Sequence, residues 1–300
     1  MKIFVNFTPL NHAWGGANQF FKGLLNFFAS KNLLTTDPLK CDIFLFNSHH
    51  HLEDIWKIKR LNPKIKFVSR VDGPISLVRG NDTETDQKIF YYNNLYADGT
   101  IFQSQFSKKE TIRLKYKFKN PHTIIPNAVD GNIFFPPKEK PQNQKIKIIA
   151  SSWSDNPRKG LDFYRFLDGN LDFNRYDFVF VGRIKHQFEN ASYISPETSQ
   201  NLAGRLQSAD IYLTGSENDP CSNSLTEALA CGLPAVYLNS GGHPEIVKNA
   251  GLPFSNKEDL LKTIDDVSKK KEFFTSQIEI AKMEEIGERY IQFFKEILGK

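Results

Sequence analysis

The sequence is poor in cysteine and lacks several patterns that would place it in a special class of protein. Its three cysteines, Cys41, Cys221 and Cys231, are too few and too irregularly spaced for a disulfide framework or a metal site, so a reducing compartment is expected. No stretch approaches the roughly 18–20 consecutive apolar residues of a membrane span. The chain begins with a strand-like segment, residues 2–7, and without a signal-peptide pattern. These absences predict a cytoplasmic protein.

Two common ligand motifs are also missing. No Gly-x-Gly-x-x-Gly pattern occurs, which argues against a dinucleotide-binding dehydrogenase. No Asp-x-Asp triplet occurs, so we expect no obligatory divalent metal and no bound cofactor. The consecutive His49, His50 and His51 do not share one face of a helix or strand, and a metal site there is not expected.

The charge of the chain is unevenly distributed. The net charge is +5, but residues 1–140 hold 20 Lys and Arg against 12 Asp and Glu, while residues 141–300 hold 19 against 22. The densest basic stretch is residues 106–119, where lysines alternate with aromatic residues. A solvated helix face is the simpler interpretation, and weak peripheral contact with anionic lipid or an acidic acceptor is the alternative. Nucleic-acid binding is disfavoured because no nucleic-acid motif accompanies the charge.

Two series of alternating strand and helix signals predict an α/β protein with two parallel sheets. In the first series, strands are expected at 2–7, 42–46, 65–71, 99–103 and 122–125, with helices at 17–30, 52–60, 84–96 and 105–117. In the second, strands are expected at 146–151, 176–181, 209–213 and 234–238, with helices at 159–168, 198–207, 222–231, 243–249 and 257–270. The proline-rich stretch between the series predicts a linker. The expected domains are 1–137 and 146–272, joined by the linker 138–145 and followed by a helical tail, 273–300, that packs back toward the first domain.

The richest motif lies in residues 208–234, where a buried strand leads into a polar loop and a helix begins near Ser222. The backbone N–H groups of a helix start favour an anion. Asp219 in the loop and Glu227 in the helix are suited to accept hydrogen bonds from sugar and ribose hydroxyls. The alternative is a helix-capping loop with two solvated acids.

Two further loops follow strands in the same half. Residues 240–247 contain two glycines and a proline, which favour close backbone approach and a helix start. Residues 151–160 end in Lys159-Gly160, and a lysine at the start of a helix can neutralise a leaving diphosphate. A surface lysine is the alternative for Lys159.

The first half offers weaker signals. Gly15 and Gly16 come after the first strand and open a helix. Arg70 and Asp72 end the strand at 65–71 and precede a Gly-Pro turn, where they either meet a substrate or brace the turn as an ion pair.

These motifs together resemble the donor-binding signature of retaining, family-4-type glycosyltransferases (glycosyl transferases group 1). The resemblance rests on Asp219, seven residues, then Glu227 and the run Ala-Leu-Ala-Cys-Gly-Leu-Pro, followed at similar spacing by Gly-Gly-His-Pro-Glu. The stretch Ile-Pro-Asn-Ala-Val-Asp at 125–130 also resembles the family, with Ala128 in place of glycine. The resemblance spans nearly the whole chain and is strongest over 150–250.

The resemblance implies a GT-B fold of two Rossmann-like, doubly wound domains facing a cleft, and it implies roles for single residues. Asp219 takes the place of the acid that contacts the transferred sugar, usually Glu, and Glu227 that of the acid holding the ribose. Trp153 stands where the family has arginine, so Arg158 or Arg183 substitutes for it. Catalytic roles are expected for Lys159, Asp219, Arg70 and Asp72. Donor contacts are expected from Gly15, Gly16, Trp153, Arg158, Arg183, Cys221, Ser222, Asn223, Glu227, Gly242 and His243.

The implied activity is transfer of a sugar from a nucleotide sugar to an acceptor hydroxyl with retention of anomeric configuration. The acceptor class includes saccharides, lipid-linked saccharides and small molecules, and a role in surface polysaccharide assembly is an expectation from the family. Two alternatives remain open: a non-catalytic GT-B-like binding protein, and a nucleotide-sugar epimerase or hydrolase. The nucleotide base, the sugar and the oligomeric state are not readable from the sequence.

Overall fold

The computed structural model describes residues 1–9, 16–139 and 143–300. The chain folds into two compact units: unit 1 comprises residues 1–9, 20–127 and 281–300, and unit 2 is built chiefly from residues 128–280. The chain passes from unit 1 to unit 2 after Asn127, ahead of the boundary expected at 137, because Val129 and Phe134 are buried in the core of unit 2. Part of the expected linker, residues 140–142, lies outside the described residues.

The described residues of unit 1 contain five parallel strands in the order β1-β2-β3-β4-β5: Ile3–Asn6 (β1), Ile43–Asn47 (β2), Lys66–Val71 (β3), Gly99–Phe102 (β4) and His122–Ile124 (β5). The helices are Gly16–Ser30 (α1), Ile55–Leu61 (α2), Ile75–Arg79 (α3), Thr83–Tyr96 (α4) and Gln105–Arg113 (α5). Both faces of the sheet are covered. Phe67 packs with Ile55 of α2, whereas Arg70, three residues on and so on the opposite face, lies against Phe20 and Phe21 of α1.

The described residues of unit 2 contain six parallel strands in the order β11-β10-β9-β6-β7-β8: Ile146–Ser152 (β6), Tyr176–Gly182 (β7), Ser192–Ile194 (β8), Ile211–Thr214 (β9), Ala235–Leu238 (β10) and Gly251–Phe254 (β11). The helices are Leu161–Asn170 (α6), Ser199–Gln207 (α7), Asn223–Ala230 (α8), His243–Val247 (α9), Lys257–Lys269 (α10) and Lys271–Ser276 (α11), and a 3-10 turn spans Pro157–Lys159. The strand order reverses between β6 and β9, which makes this sheet doubly wound and places ligand sites at its carboxyl edge. The prediction of an α/β protein with two parallel sheets is confirmed.

Three short elements were not predicted, and each has a reason in the sequence. The edge strand β8 is only three residues long and largely exposed, so it has no apolar run. The strand β11 contains Pro253. An edge strand tolerates proline, but in a sequence a proline argues against predicting a strand. Helix α3 is a single short turn. Helix α5 ends at Arg113 rather than 117, because Lys115 adopts a left-handed φ of 65° that ends helical geometry.

The C-terminal tail is two helices rather than one. Residues 277–282 are not helical between α11 and Met283–Ile297 (α12), although helix was expected throughout 273–298. Ile278 and Ile280 both pack against the core of unit 2, and two residues that are two positions apart share a side only in an extended segment. Helix α12 belongs to unit 1, where Gly287 gives room for the ring of Phe27. Among the described residues, no helix combines the length and apolarity needed to cross a membrane.

Candidate functional site in unit 2

The polar loop that follows β9 is fastened to two other loops at the carboxyl edge of the unit 2 sheet. The Glu217 N–H donates to the carbonyl oxygen of Arg158 at 2.7 Å, and the Asn218 N–H donates to Ser240 Oγ at 2.9 Å. Asn218 has a left-handed φ of 52°, which asparagine tolerates better than most residues. These contacts fix the position of Asp219 at the end of the loop.

Glycines allow the three loops to approach each other this closely. Gly241 has φ of +65°, and a Cβ there would collide with the backbone of Asp219. The next residue, Gly242, donates its N–H to the Asp219 carbonyl oxygen at 2.8 Å. On the other side, Gly160 has φ of +102° and a Cβ there would lie 2.9 Å from the Cα of Gly215. The predicted Gly-Gly turn and Lys159-Gly160 thus flank one loop.

An ion pair joins two of the predicted catalytic residues. Lys159 Nζ lies 2.8 Å from Asp219 Oδ2, and the two side chains are 26% and 14% exposed. Burial opposes ionisation of Asp219, but the Lys159 cation, nearby His243 and the Cys221 N–H together lower the pKa of this carboxyl below its usual range. The Cys221 N–H donates to Asp219 Oδ1 at 3.2 Å. In this arrangement the Lys159 cation lies at the carboxyl edge of the sheet and is paired with the Asp219 carboxylate.

His243 lies fully buried at the start of α9, next to this pair. Its Nδ1 is 3.0 Å from the carbonyl oxygen of Leu238, an acceptor, so Nδ1 carries the proton. Its Nε2 is buried and has no hydrogen-bond partner among the described residues. Burial lowers the pKa of His243, with the Asp219 charge opposing the shift. The neutral ring therefore presents an unused acceptor.

Glu227 is buried in helix α8, and this excludes the interpretation of a solvated acid. The residue is 3% exposed, and its Oε2 has no hydrogen-bond partner among the described residues. Burial raises the pKa of Glu227 to about 8. A buried carboxyl oxygen without a partner costs stability, and a catalytic or ligand-binding role is one reason that native proteins keep such a group.

Helix α8 begins with a side-chain cap, as its sequence predicts. Ser222 Oγ accepts from the Leu225 N–H at 3.4 Å. Cys221 and Ser222 are buried and Asn223 is half-buried. The Cys221 N–H already donates to Asp219, and the Leu225 N–H to the cap.

The remaining predicted donor residues of unit 2 lie where β6 and β7 end. Trp153 directly follows β6 and packs partly against the core of unit 2. Arg183 directly follows β7 and is exposed, with one guanidinium nitrogen 3.5 Å from the Trp153 carbonyl oxygen. Arg158 lies in the turn before α6, where its carbonyl oxygen accepts from Glu217. Within the described part of the chain, no three His, Cys, Asp or Glu side chains cluster as metal ligands.

In unit 1, Arg70 and Asp72 lie in a buried polar network at the carboxyl edge of the sheet. One terminal nitrogen of the fully buried Arg70 guanidinium donates to Asn47 Oδ1 and Asp72 Oδ1, and the other terminal nitrogen donates to Asn127 Oδ1, each at 2.6 Å, whereas Nε has no hydrogen-bond partner among the described residues. Gln103 Nε2 donates to Asp72 and Gln103 Oε1 accepts from Asn127. The guanidinium also lies over the rings of two phenylalanines of α1, 4.7 and 5.2 Å from their centroids. This geometry matches the second expectation for Arg70 and Asp72, an ion pair that braces the turn. The network also ties together the ends of four strands, β2 to β5.

We expect Arg70→Met to lower the free energy of unfolding by roughly 3–5 kcal/mol, because it removes the cation paired with Asp72 and the guanidinium donor to Asn47 Oδ1 and Asn127 Oδ1. Denaturant unfolding measures this loss. The control is Arg79→Met, which removes an exposed arginine from a 3.7 Å pair with Asp82 and is expected to cost less than about 1 kcal/mol. Unchanged stability of Arg70→Met with loss of turnover would instead assign Arg70 to the chemistry.

Sequence reasoning missed the partners in this network. Asn47, Gln103 and Asn127 share one signal: each ends or closely follows a strand of the unit 1 sheet. In unit 2 it missed Ser240, which holds the Asp219 loop. Of the two predicted glycines of the first half, Gly16 is the first residue of α1, and Gly15 lies outside the described residues.

Comparison with known proteins finds similarity to glycosyltransferases. Residues 183–284 match the sequence model of the family described as Glycosyl transferases group 1. The chain is 25% identical over 179 residues to a "Putative glycosyltransferase 45" of Sulfolobus islandicus filamentous virus, covering 57% of this chain and 50% of that protein. It is 26% identical over 166 residues to a "Probable sucrose-phosphate synthase" of Thermosipho melanesiensis, covering 49% and 39%. The alignments thus span half or less of the length of these curated relatives.

Among solved structures, the chain is similar to Anabaena Alr3699/HepE in complex with UDP. The TM-score is 0.73 with 12% identity, and the match covers 99% of this chain and 100% of that one. At this identity the likeness concerns the fold. The chain has the α/β architecture of GT-B glycosyltransferases, with two parallel sheets.

Proposed function

We propose that the protein is a nucleotide-sugar-dependent glycosyltransferase that binds its donor at the carboxyl edge of the unit 2 sheet. The observation that carries the proposal is the unmet hydrogen-bonding capacity there. Glu227 Oε2 and His243 Nε2 are buried acceptors without partners among the described residues, in the same sheet edge as the Lys159–Asp219 pair. A ligand with several hydroxyls and an anionic group supplies donors for the acceptors and a charge for the lysine.

The proposed roles follow from the chemistry of each group. Lys159 and the N–H groups at the start of α8 hold the diphosphate. The lysine carries a full positive charge, and the helix N-terminus carries a partial one. Glu227 accepts hydrogen bonds from the ribose hydroxyls, and Asp219 and His243 face the transferred sugar. Arg183 is the better substitute for the arginine of the resembled family, since its guanidinium lies beside Trp153. The similar structure that holds UDP makes a uridine nucleotide the first to test.

We further propose that transfer retains the anomeric configuration and needs no obligatory metal. The bond between the anomeric carbon and the diphosphate oxygen breaks, and the acceptor hydroxyl oxygen forms its bond to that carbon on the same face. The hydroxyl proton passes to the departing phosphate oxygen, so no strong side-chain base is required. Positioning and charge stabilisation then supply most of the catalysis. The acceptor is a saccharide, a lipid-linked saccharide or a small molecule, and the expected setting is glycan assembly in the cytoplasm.

Thermal unfolding with UDP, GDP, dTDP, ADP and CDP, each with and without Mg²⁺, tests the donor site. A nucleotide that binds only the folded protein stabilises it by about 2.7 kcal/mol at 100 times its dissociation constant. We expect a shift with one nucleotide that persists in the matched control Glu258→Gln, an exposed acid of α10, and is lost in Glu227→Ala. A shift without turnover of the matching nucleotide sugar would favour a binding protein. Turnover without an acceptor would favour a hydrolase or epimerase.

A further inference from the structure

Unit 1 carries an exposed stripe along the outer side of helix α4 that includes two large apolar side chains. Gln87, Tyr91, Asn94 and Leu95 recur at the three- and four-residue spacing that places them on one side of the helix, and all are exposed. Tyr91 is 64% exposed and Leu95 54%. Isolated exposed apolar residues are ordinary, but two large ones on one stripe form a patch that needs an explanation.

This stripe forms one wall of an open groove, and residues 114–119 form the other. The groove has a volume of about 360 Å³ and is lined by Phe90, Tyr91, Leu95, Tyr116 and Lys119, among others. The ring of Tyr116 stacks on Phe90 at a centroid distance of 4.0 Å, and the ring of Phe118 contacts Phe90 edge-on at 5.5 Å. These two anchors hold residues 114–119 against α4.

The anchored segment is strongly basic on its outer side. Lys115, Lys117 and Lys119 are exposed and alternate with the two anchoring aromatic residues, which is the pattern of an extended strand rather than the helix expected here. Residues 105–119 hold six basic residues and one acid, a net of +5, and that acid, Glu110, is paired with Arg113 at 2.6 Å. Among the described residues, no acid lies within ion-pair distance of the three lysines.

We propose that this face, residues 87–95 of α4 with residues 114–119, docks the protein on an anionic lipid bilayer. A bilayer meets both features at once: headgroup phosphates balance the lysines, and the boundary between headgroups and acyl chains takes Tyr91 and Leu95. Lysines with long apolar stems suit this position because they keep their charge among the headgroups. The proposal is independent of the donor site, since none of its residues belongs to unit 2.

Vesicle co-sedimentation tests the docking without any substrate. We expect the protein to bind vesicles with about 30% phosphatidylglycerol and to dissociate at high salt, and to bind pure phosphatidylcholine poorly. The variant Lys115→Gln/Lys117→Gln/Lys119→Gln loses about a hundredfold in affinity, since each of the three lysines near an anionic surface contributes roughly fivefold. The charge-matched control is Lys257→Gln/Lys262→Gln/Lys270→Gln, three exposed lysines in and beside α10, and it binds as the unaltered protein does.

A second variant separates insertion from charge alone. Tyr91→Ser/Leu95→Ser changes only exposed side chains and is expected to weaken vesicle binding several-fold while the salt dependence stays the same. Equal binding by the triple-lysine variant and the unaltered protein overturns the proposal. So does binding to poly-glutamate without binding to anionic vesicles, which assigns the face to an acidic protein instead.

Discussion

Lys159→Ala is expected to slow sugar transfer by about 10²–10³-fold, because it removes the cation that we propose to face the departing diphosphate. The structure adds a second cause. Asp219 Oδ2 lies 2.8 Å from Lys159 Nζ and the Asp219 side chain is only 14% exposed, so the variant leaves a carboxylate without its counter-ion at the proposed diphosphate site. Initial rates with the nucleotide sugar identified by thermal unfolding measure the loss.

The ion pair also predicts how a double variant behaves. Lys159→Ala/Asp219→Asn removes the repulsion along with the cation, so nucleotide affinity recovers toward that of the unaltered protein while transfer stays slow. Lys185→Ala is the control, since it removes an exposed lysine of the same unit that pairs with Asp155 at 3.0 Å, and it leaves both quantities unchanged. Near-normal transfer by Lys159→Ala contradicts the proposed role of this lysine.

Glu227→Gln is expected to stabilise the ligand-free protein while weakening nucleotide binding. Burial raises the pKa of Glu227 to about 8 in the folded protein, above its ordinary value of 4.5. The folded state therefore holds this proton more tightly than the unfolded state. The stability that the protonated carboxyl contributes is fully present below about pH 4.5 and is lost as pH rises to about 8. The neutral glutamine avoids this loss, and its advantage at pH 8 is on the order of 2–5 kcal/mol.

Denaturant unfolding of the ligand-free variant and the unaltered protein at pH 4.5 and pH 8 measures the effect. The unfolding curves of Glu227→Gln and of the unaltered protein nearly coincide at pH 4.5 and separate at pH 8. The curve of Glu258→Gln, which changes an exposed acid, coincides with that of the unaltered protein at both pH values. Nucleotide affinity of Glu227→Gln falls about tenfold, because the side-chain nitrogen of glutamine cannot accept a hydrogen bond from a ribose hydroxyl. A variant that is no more stable at pH 8 would mean that Glu227 has a compensating partner. A stabilised variant with full affinity would exclude it from the donor site.

The difference between what the sequence predicts and what the structure shows is clearest at one arginine and one glutamate. Arg70 and Glu227 each follow a recognisable pattern, a strand end and a helix one turn past a polar loop, and both were expected to face a substrate. The structure encloses Arg70 among Asn47, Asp72 and Asn127, a geometry that suits a bracing role. It also buries Glu227 and leaves its Oε2 without a partner among the described residues. The spacing of residues along the chain does not predict what surrounds Arg70 and Glu227, because their neighbours come from distant parts of the sequence.

The two series of strands and helices and the order of the polar loops after them can be read from the sequence alone. These follow from buried apolar runs, helical periodicity and glycine turns, which are properties of neighbouring residues. The pairing of Lys159 with Asp219, sixty positions away, and the close approach of the Gly241 turn to Asp219 come only from the tertiary structure. So do the lowered pKa of Asp219 and the raised pKa of Glu227. Protonation depends on burial and on charges brought near by the fold, and neither is a local property of the chain.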